Sequence, residues 1–144
     1  MAQAKAPNGS GVTFPNSLAG LKKGLDALRE WLTTANLGQQ VEDRAFLVFE
    51  EIVTNIIRYA FEDALEHRIE VDAALGDAEM TLTFEDDGRA FDPRSAPLPE
   101  RQSSLAKAQI GGRGLLLVRK AARRIDYDRT RNGRNRLTVA LPLR

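Results

Sequence analysis

The sequence predicts an α+β fold: a two-layer α/β sandwich whose mostly antiparallel sheet is covered on one face by three helices. Three observations carry this. Apolar residues recur at helical spacing through two stretches between Ser17 and Ala60. Strict alternation then runs through Arg68–Leu75 and again through Met80, Leu82 and Phe84, around a usable hairpin turn at Gly76-Asp77. A Pro- and Gly-rich stretch is followed by one more helix and a second hairpin.

Residues 1–11 read as a flexible tail, and residues 12–144 as one domain. Val12 to Phe14 form a short strand stopped by Pro15, and Ser17 is an N-cap for the first helix. Leu18, Leu21, Leu25, Leu28 and Leu32 make its apolar stripe, and Gly38 is its natural stop. The second helix runs from about Val41 to Tyr59, with Glu42 and Asp43 in its first turn, where the helix dipole favours carboxylates. Phe49, Ile52, Val53, Ile56 and Ala60 form its buried stripe. Residues 87–112 carry Gly88, Pro93, Pro97, Pro99, Gly111 and Gly112 without sustained periodicity, the pattern of a functional loop such as a lid. The third helix spans about Gly114 to Arg123. Ile125–Arg129 and Arg136–Leu141 form the last hairpin around Asn132-Gly133.

Composition removes several function classes. A net charge of +1 on 144 residues gives no electrostatic case for nucleic acid or a membrane surface as a partner. There is no Cys, so disulfides and thiolate metal sites are excluded. The single His, His67, excludes His-rich metal clusters and reads as an ordinary loop residue. No apolar run approaches the roughly 20 residues that span a bilayer, and the N-terminus lacks the apolar stretch of a signal peptide. A cytoplasmic protein is the expectation.

Three constellations carry chemistry. Glu51 and Asn55 are four residues apart, hence one turn apart on one helix face, at the edge of the apolar stripe. A carboxylate there can take a proton from a hydroxyl, and an amide oxygen is a hard ligand suited to Mg²⁺. Asp86 stands where an alternating strand ends, two residues before Gly88, and can accept a hydrogen bond from a ring amino group. Gly111-Gly112-Arg113-Gly114-Leu115 opens a helix, where backbone N–H groups can meet phosphate. Each also has an ordinary structural reading: a solvated glutamate beside an incidental Asn, an acidic turn, a glycine-rich helix start.

Together, and in this order, they resemble a known family. Glu51-x-x-x-Asn55 is similar to the N box of GHKL (Bergerat-fold) ATPases. Asp86-x-Gly88 with Phe91-Asp92-Pro93 resembles their first glycine box. Gly112-x-Gly114-Leu115 with Leu117-Val118-Arg119 resembles the second, and Gly133-Arg134-Asn135-Arg136-Leu137-Thr138 the closing strand. The resemblance covers roughly residues 12–142 and is greatest to the stand-alone anti-sigma-factor serine kinases. It implies ATP with Mg²⁺ held by Asn55, Glu51 as general base toward a substrate serine, and Asp86 on the adenine amino group. Gly88 would let the base approach. Gly112 and Gly114 would flank the hinge of a lid over about residues 94–112, with Arg113 and Leu115 beside the nucleotide, and Thr138 would support the adenine pocket.

Three positions depart from the family pattern: Ala90 for a second glycine of the first box, Tyr59 where many relatives have His, and Arg123 where many kinases of this type have Asp. A methyl at position 90 is tolerable only if the backbone there does not need a positive φ. The resemblance implies a protein-serine kinase that binds a sigma factor and phosphorylates a STAS-domain anti-sigma antagonist, with a homodimer suggested. A non-catalytic module that uses ATP only to set its conformation stands as the alternative.

Overall fold

The computed structural model describes residues 10–92, 94 and 112–144. Its elements are β1 (Ser10–Pro15), α1 (Leu18–Ala35), α2 (Gln39–Tyr59), β2 (Arg68–Leu75), β3 (Glu79–Asp86), α3 (Gly112–Ala121), β4 (Arg124–Arg129) and β5 (Asn135–Pro142). The strands form one sheet in the order β1-β2-β3-β5-β4, and every neighbouring pair is antiparallel. The three helices cover one face, which gives the α+β sandwich expected. No helix among the described residues is long and apolar enough to cross a membrane.

Period-two alternation decides which side chains enter the core. Ile69, Val71 and Ala73 of β2, Met80, Leu82 and Phe84 of β3, and Leu137, Val139 and Leu141 of β5 are all buried. They meet Phe49, Ile52, Val53 and Ile56 of α2 and Leu28, Trp31 and Leu32 of α1. Phe49 lies between Phe14 and Phe84, its ring centroid 5.9 Å from each. These tilted aromatic contacts tie β1, α2 and β3 into one core.

Several boundaries differ from the sequence reading. Ser10 and Gly11 belong to β1, paired with Ala73 and Asp72, so the strand starts inside the stretch read as a tail. Leu18 has the phase of the α1 stripe but lies in the first turn and is 77% exposed, whereas Trp31 is 6% exposed and belongs to the core. Ser17 caps α1 as expected, accepting from the Gly20 N–H at 3.1 Å. That helix ends at Ala35, not at Gly38, because Asn36 takes the left-handed conformation (φ 54°) and its N–H bonds Leu32 O. Asn accepts that conformation more readily than other side-chain-bearing residues. The third helix ends at Ala121, since the Arg123 N–H already pairs with Ala140 O and hands the chain to the sheet.

His67 joins three connections. Its Nε2 lies 2.8 Å from Asp63 Oδ1 and its Nδ1 3.2 Å from Asp87 Oδ1. Its ring stacks on Phe61 at 4.2 Å, and its backbone N–H donates to Asn16 Oδ1. Both ring nitrogens face carboxylate oxygens, so the doubly protonated ring can donate to each. The hydrogen bond to Asp63 is the main reason the imidazole pKa rises above 6.5, and it lowers the Asp63 carboxyl in return. A pKa raised in the folded state adds stability that is complete below the unfolded value and is lost as pH rises through the folded one. The wild-type melting temperature should therefore fall, relative to His67→Gln, as pH is raised from about 6 to 8. A difference between the two proteins that does not change with pH would show that the clasp is not ionic.

Candidate functional site

Asp86, Asn55 and Asn135 are the buried polar side chains among the described residues, each no more than 5% exposed. They come together because the alternation that points Met80, Leu82 and Phe84 inward puts Asp86 on the same face at the end of β3. Asn135 opens β5 directly opposite it in the register. Its Nδ2 donates to Asp86 Oδ1 at 3.0 Å, and the Gly88 N–H donates to the same oxygen at 2.8 Å. Burial pushes the Asp86 carboxyl above its ordinary value, and these two donors oppose the rise.

A slot opens beside this pair. Ile52, Ile56, Ala60, Phe84, Phe91 and Leu137 supply apolar walls, and Asn55, Asp86, Tyr127 and Asn135 the polar atoms. An apolar cleft with a few convergent polar groups is the ordinary form of a small-molecule site. The slot is narrow, with about 20 Å³ open to the centre of a water molecule. A planar ring therefore needs it to widen. Phe91 and Ala60 are the walls that belong to neither sheet nor helix.

Glu51 and Asn55 lie along α2. Asn55 Nδ2 donates to Glu51 O at 2.9 Å. A carbonyl can only accept, so the amide nitrogen must face Glu51 O, and the amide oxygen turns the other way. The Glu51 carboxylate is half-buried against the first turn of α3. A methyl on Gly114 would lie 1.9 Å from Glu51 Oε1, so glycine leaves room for the carboxylate in the position it takes here. Desolvation is the main reason the Glu51 pKa is raised; the neighbouring Glu50 adds to it and Arg58 opposes it. One turn of α2 thus carries a proton acceptor with an elevated pKa and a hard neutral oxygen.

The remaining expected site residues separate into two groups. Gly88 is beside Asp86, but its close contact is with the end of α2: a methyl there would lie 2.4 Å from Ala60 O. The Arg89 N–H and Nε donate to Ala60 O and Tyr59 O, which caps that helix end. Gly88 is therefore required for the packing of this turn against the end of α2. Ala90 is exposed, and the only positive-φ residue other than glycine among the described residues is Asn36, so the methyl is tolerated. Gly112 and Arg113 begin α3, Gly114 is a buried helical position, and Leu115 is 7% exposed and part of the core. The lid expected over residues 94–112 lies outside the described residues except for Arg94 and Gly112.

Thr138 is not brought to the slot. Asn135 and Leu137 face inward, so alternation sends Thr138 to the opposite face of the sheet, where its hydroxyl lies 3.4 Å from that of Thr83. The β5 side chain that reaches Asp86 is Asn135, three residues earlier. Tyr127 and Arg129 of β4 join it: the Tyr127 hydroxyl and Arg129 Nη1 both donate to Asn135 Oδ1. The signal in the sequence was the pairing of the two hairpins, which sets an inward-facing Asn opposite Asp86.

Two comparisons with known proteins bear on this site. The family model described as the histidine kinase-like ATPase domain matches residues 14–141. A serine/threonine-protein kinase, BtrW of Bordetella bronchiseptica, is 36% identical over 93 residues, a span covering 65% of this chain and 65% of that protein.

The two neighbouring box positions should respond in opposite ways to exchange. Gly88→Ala should destabilise the fold by about 1–3 kcal/mol, because the obstacle is helix backbone that cannot turn aside. Ala90→Gly should leave the melting temperature nearly unchanged. Equal melting temperatures for Gly88→Ala and the wild type would show that the turn is not packed against Ala60 as described.

Proposed function

The chain belongs to the family of histidine kinase-like ATPase domains, and from that membership we propose that it is an ATP-dependent protein kinase acting on serine or threonine. The single observation that supports this most is the arrangement along α2: a buried acceptor, Asp86, at one end of an apolar slot, and the Glu51–Asn55 pair at the edge facing α3. With the slot widened, adenine would enter it with its amino group on Asp86, and this would direct the phosphates toward Asn55 and the start of α3. There, N–H groups at a helix N-terminus favour anions.

Among the described residues no three His, Asp or Glu side chains gather as a metal cage. One amide oxygen with phosphate oxygens and water suits Mg²⁺, which usually keeps several waters. When bound, Mg²⁺ supplies charge neutralisation on the phosphates. Asn55 orients the phosphate end of the nucleotide through its outward amide oxygen. Glu51 holds the place of the base, receiving the hydroxyl proton of the substrate as that oxygen bonds to the γ-phosphorus and the bond from that phosphorus to the β–γ bridging oxygen breaks, so that ADP leaves. Partial burial raises the pKa of its carboxyl and so strengthens it as a base.

The substrate and partners follow the resemblance to anti-sigma-factor kinases. In this reading the phosphorylated protein is a STAS-domain antagonist, and the protein released or captured in exchange is a sigma factor.

Binding and chemistry can be separated. Glu51→Gln should keep ATP affinity and lose transfer to a STAS-domain substrate by about 10²–10⁴-fold. Asn55→Ala should lose Mg²⁺-dependent ATP affinity together with transfer. Melting temperature, affinity and single-turnover transfer on the same samples test this. Full transfer by Glu51→Gln would remove Glu51 as the base and leave adjacent Glu50 as the next carboxylate.

A further inference from the structure

The amide of Asn135 is held at both ends. Its Nδ2 donates to Asp86 Oδ1 at 3.0 Å and to Arg89 O at 2.8 Å. Its Oδ1 accepts from the Phe91 N–H at 3.2 Å, from Arg129 Nη1 at 3.1 Å and from the Tyr127 hydroxyl. A carbonyl can only accept, while a peptide N–H and a guanidinium can only donate. The amide therefore has one orientation, and the atom it presents to Asp86 is always a donor. The Gly88 N–H is a second donor to the same carboxylate oxygen, at 2.8 Å. With both donors on Oδ1, Oδ2 is the oxygen left for an occupant of the slot.

The geometry points to Asn135 as the positioning residue that holds Asp86 as an acceptor toward the slot, and so selects a purine bearing an exocyclic amino group over one bearing a carbonyl at that place. This rests on the nucleotide reading above. An amino group donates to Oδ2. A carbonyl there meets the carboxylate lone pair against lone pair, and a buried polar group without a partner disfavours the wrong ligand strongly. Removing the Asn135 donor frees the carboxyl to rotate and to present a protonated oxygen, which can donate to a carbonyl. Selectivity then falls along with affinity. A residue that only fills space would not change the preference between two purines of nearly equal shape.

The test uses ATP and its inosine analogue, ITP, with Mg²⁺ and calorimetry, on the wild type, Asn135→Thr and Asn135→Val. Thr and Val are nearly the same shape and both suit a strand; they differ in the hydroxyl donor. The wild type should prefer ATP by roughly tenfold or more. Asn135→Thr should retain most of that preference. Asn135→Val should lose about tenfold in ATP affinity, with its ATP-to-ITP ratio falling toward one. Equal losses in the Thr and Val variants, or a wild-type ratio in Asn135→Val, would overturn the proposal. Asn135→Ser against Asn135→Ala repeats the comparison with smaller side chains if the valine variant does not fold. Failure of the wild type to bind either nucleotide would instead overturn the nucleotide reading itself, and this inference with it.

Discussion

A buried carboxylate is unfavourable unless donors surround it, and the pairing of Asp86 with Asn135 meets that requirement across two strands. The β3–β5 register brings the pair face to face, and a shift of one residue would turn Asn135 out of the core. The Gly88 N–H, Arg89 O and the Phe91 N–H are drawn to the same two side chains, so the turn after β3 is shaped around them. Arg129 extends the network by donating to both Gly88 O and Asn135 Oδ1. The slot, the turn and the end of α2 therefore depend on one polar contact set inside an otherwise apolar layer.

Most of the fold was legible because burial on one face imposes a period. The stripe of Phe49, Ile52, Val53, Ile56 and Ala60 predicted the buried face of α2, and all five are buried. The alternation in β2 and β3 predicted both strands and their inward residues. Errors arose where local chemistry overrides periodicity. Asn36 ended α1 before the glycine that looked like the stop, and Leu18 had the right phase but too few neighbours at a helix end.

The site was legible in part, for a related reason. Glu51 and Asn55 are linked by helical spacing alone, and the structure sets them one turn apart as that spacing requires. Asp86 could be placed from its position at a strand end. Asn135 could not be found from its own neighbourhood, because its partner is 49 residues away and only the strand register joins them. Thr138 looked suitable by residue type, yet it lies three positions from Asn135, on the other face. Gly88 also packs against the end of α2, which the motif pattern does not reveal.

The slot beside Asp86 is central to the functional account, and calorimetry of ATP with Mg²⁺ tests it most directly. The account predicts saturable binding to the wild type and, for Asp86→Asn, an affinity lower by roughly tenfold or more with an unchanged fold, since one hydrogen bond to a charged group is worth about 1.5–3 kcal/mol. Absence of ATP binding to the folded wild type, or equal affinity in the two proteins, would contradict it.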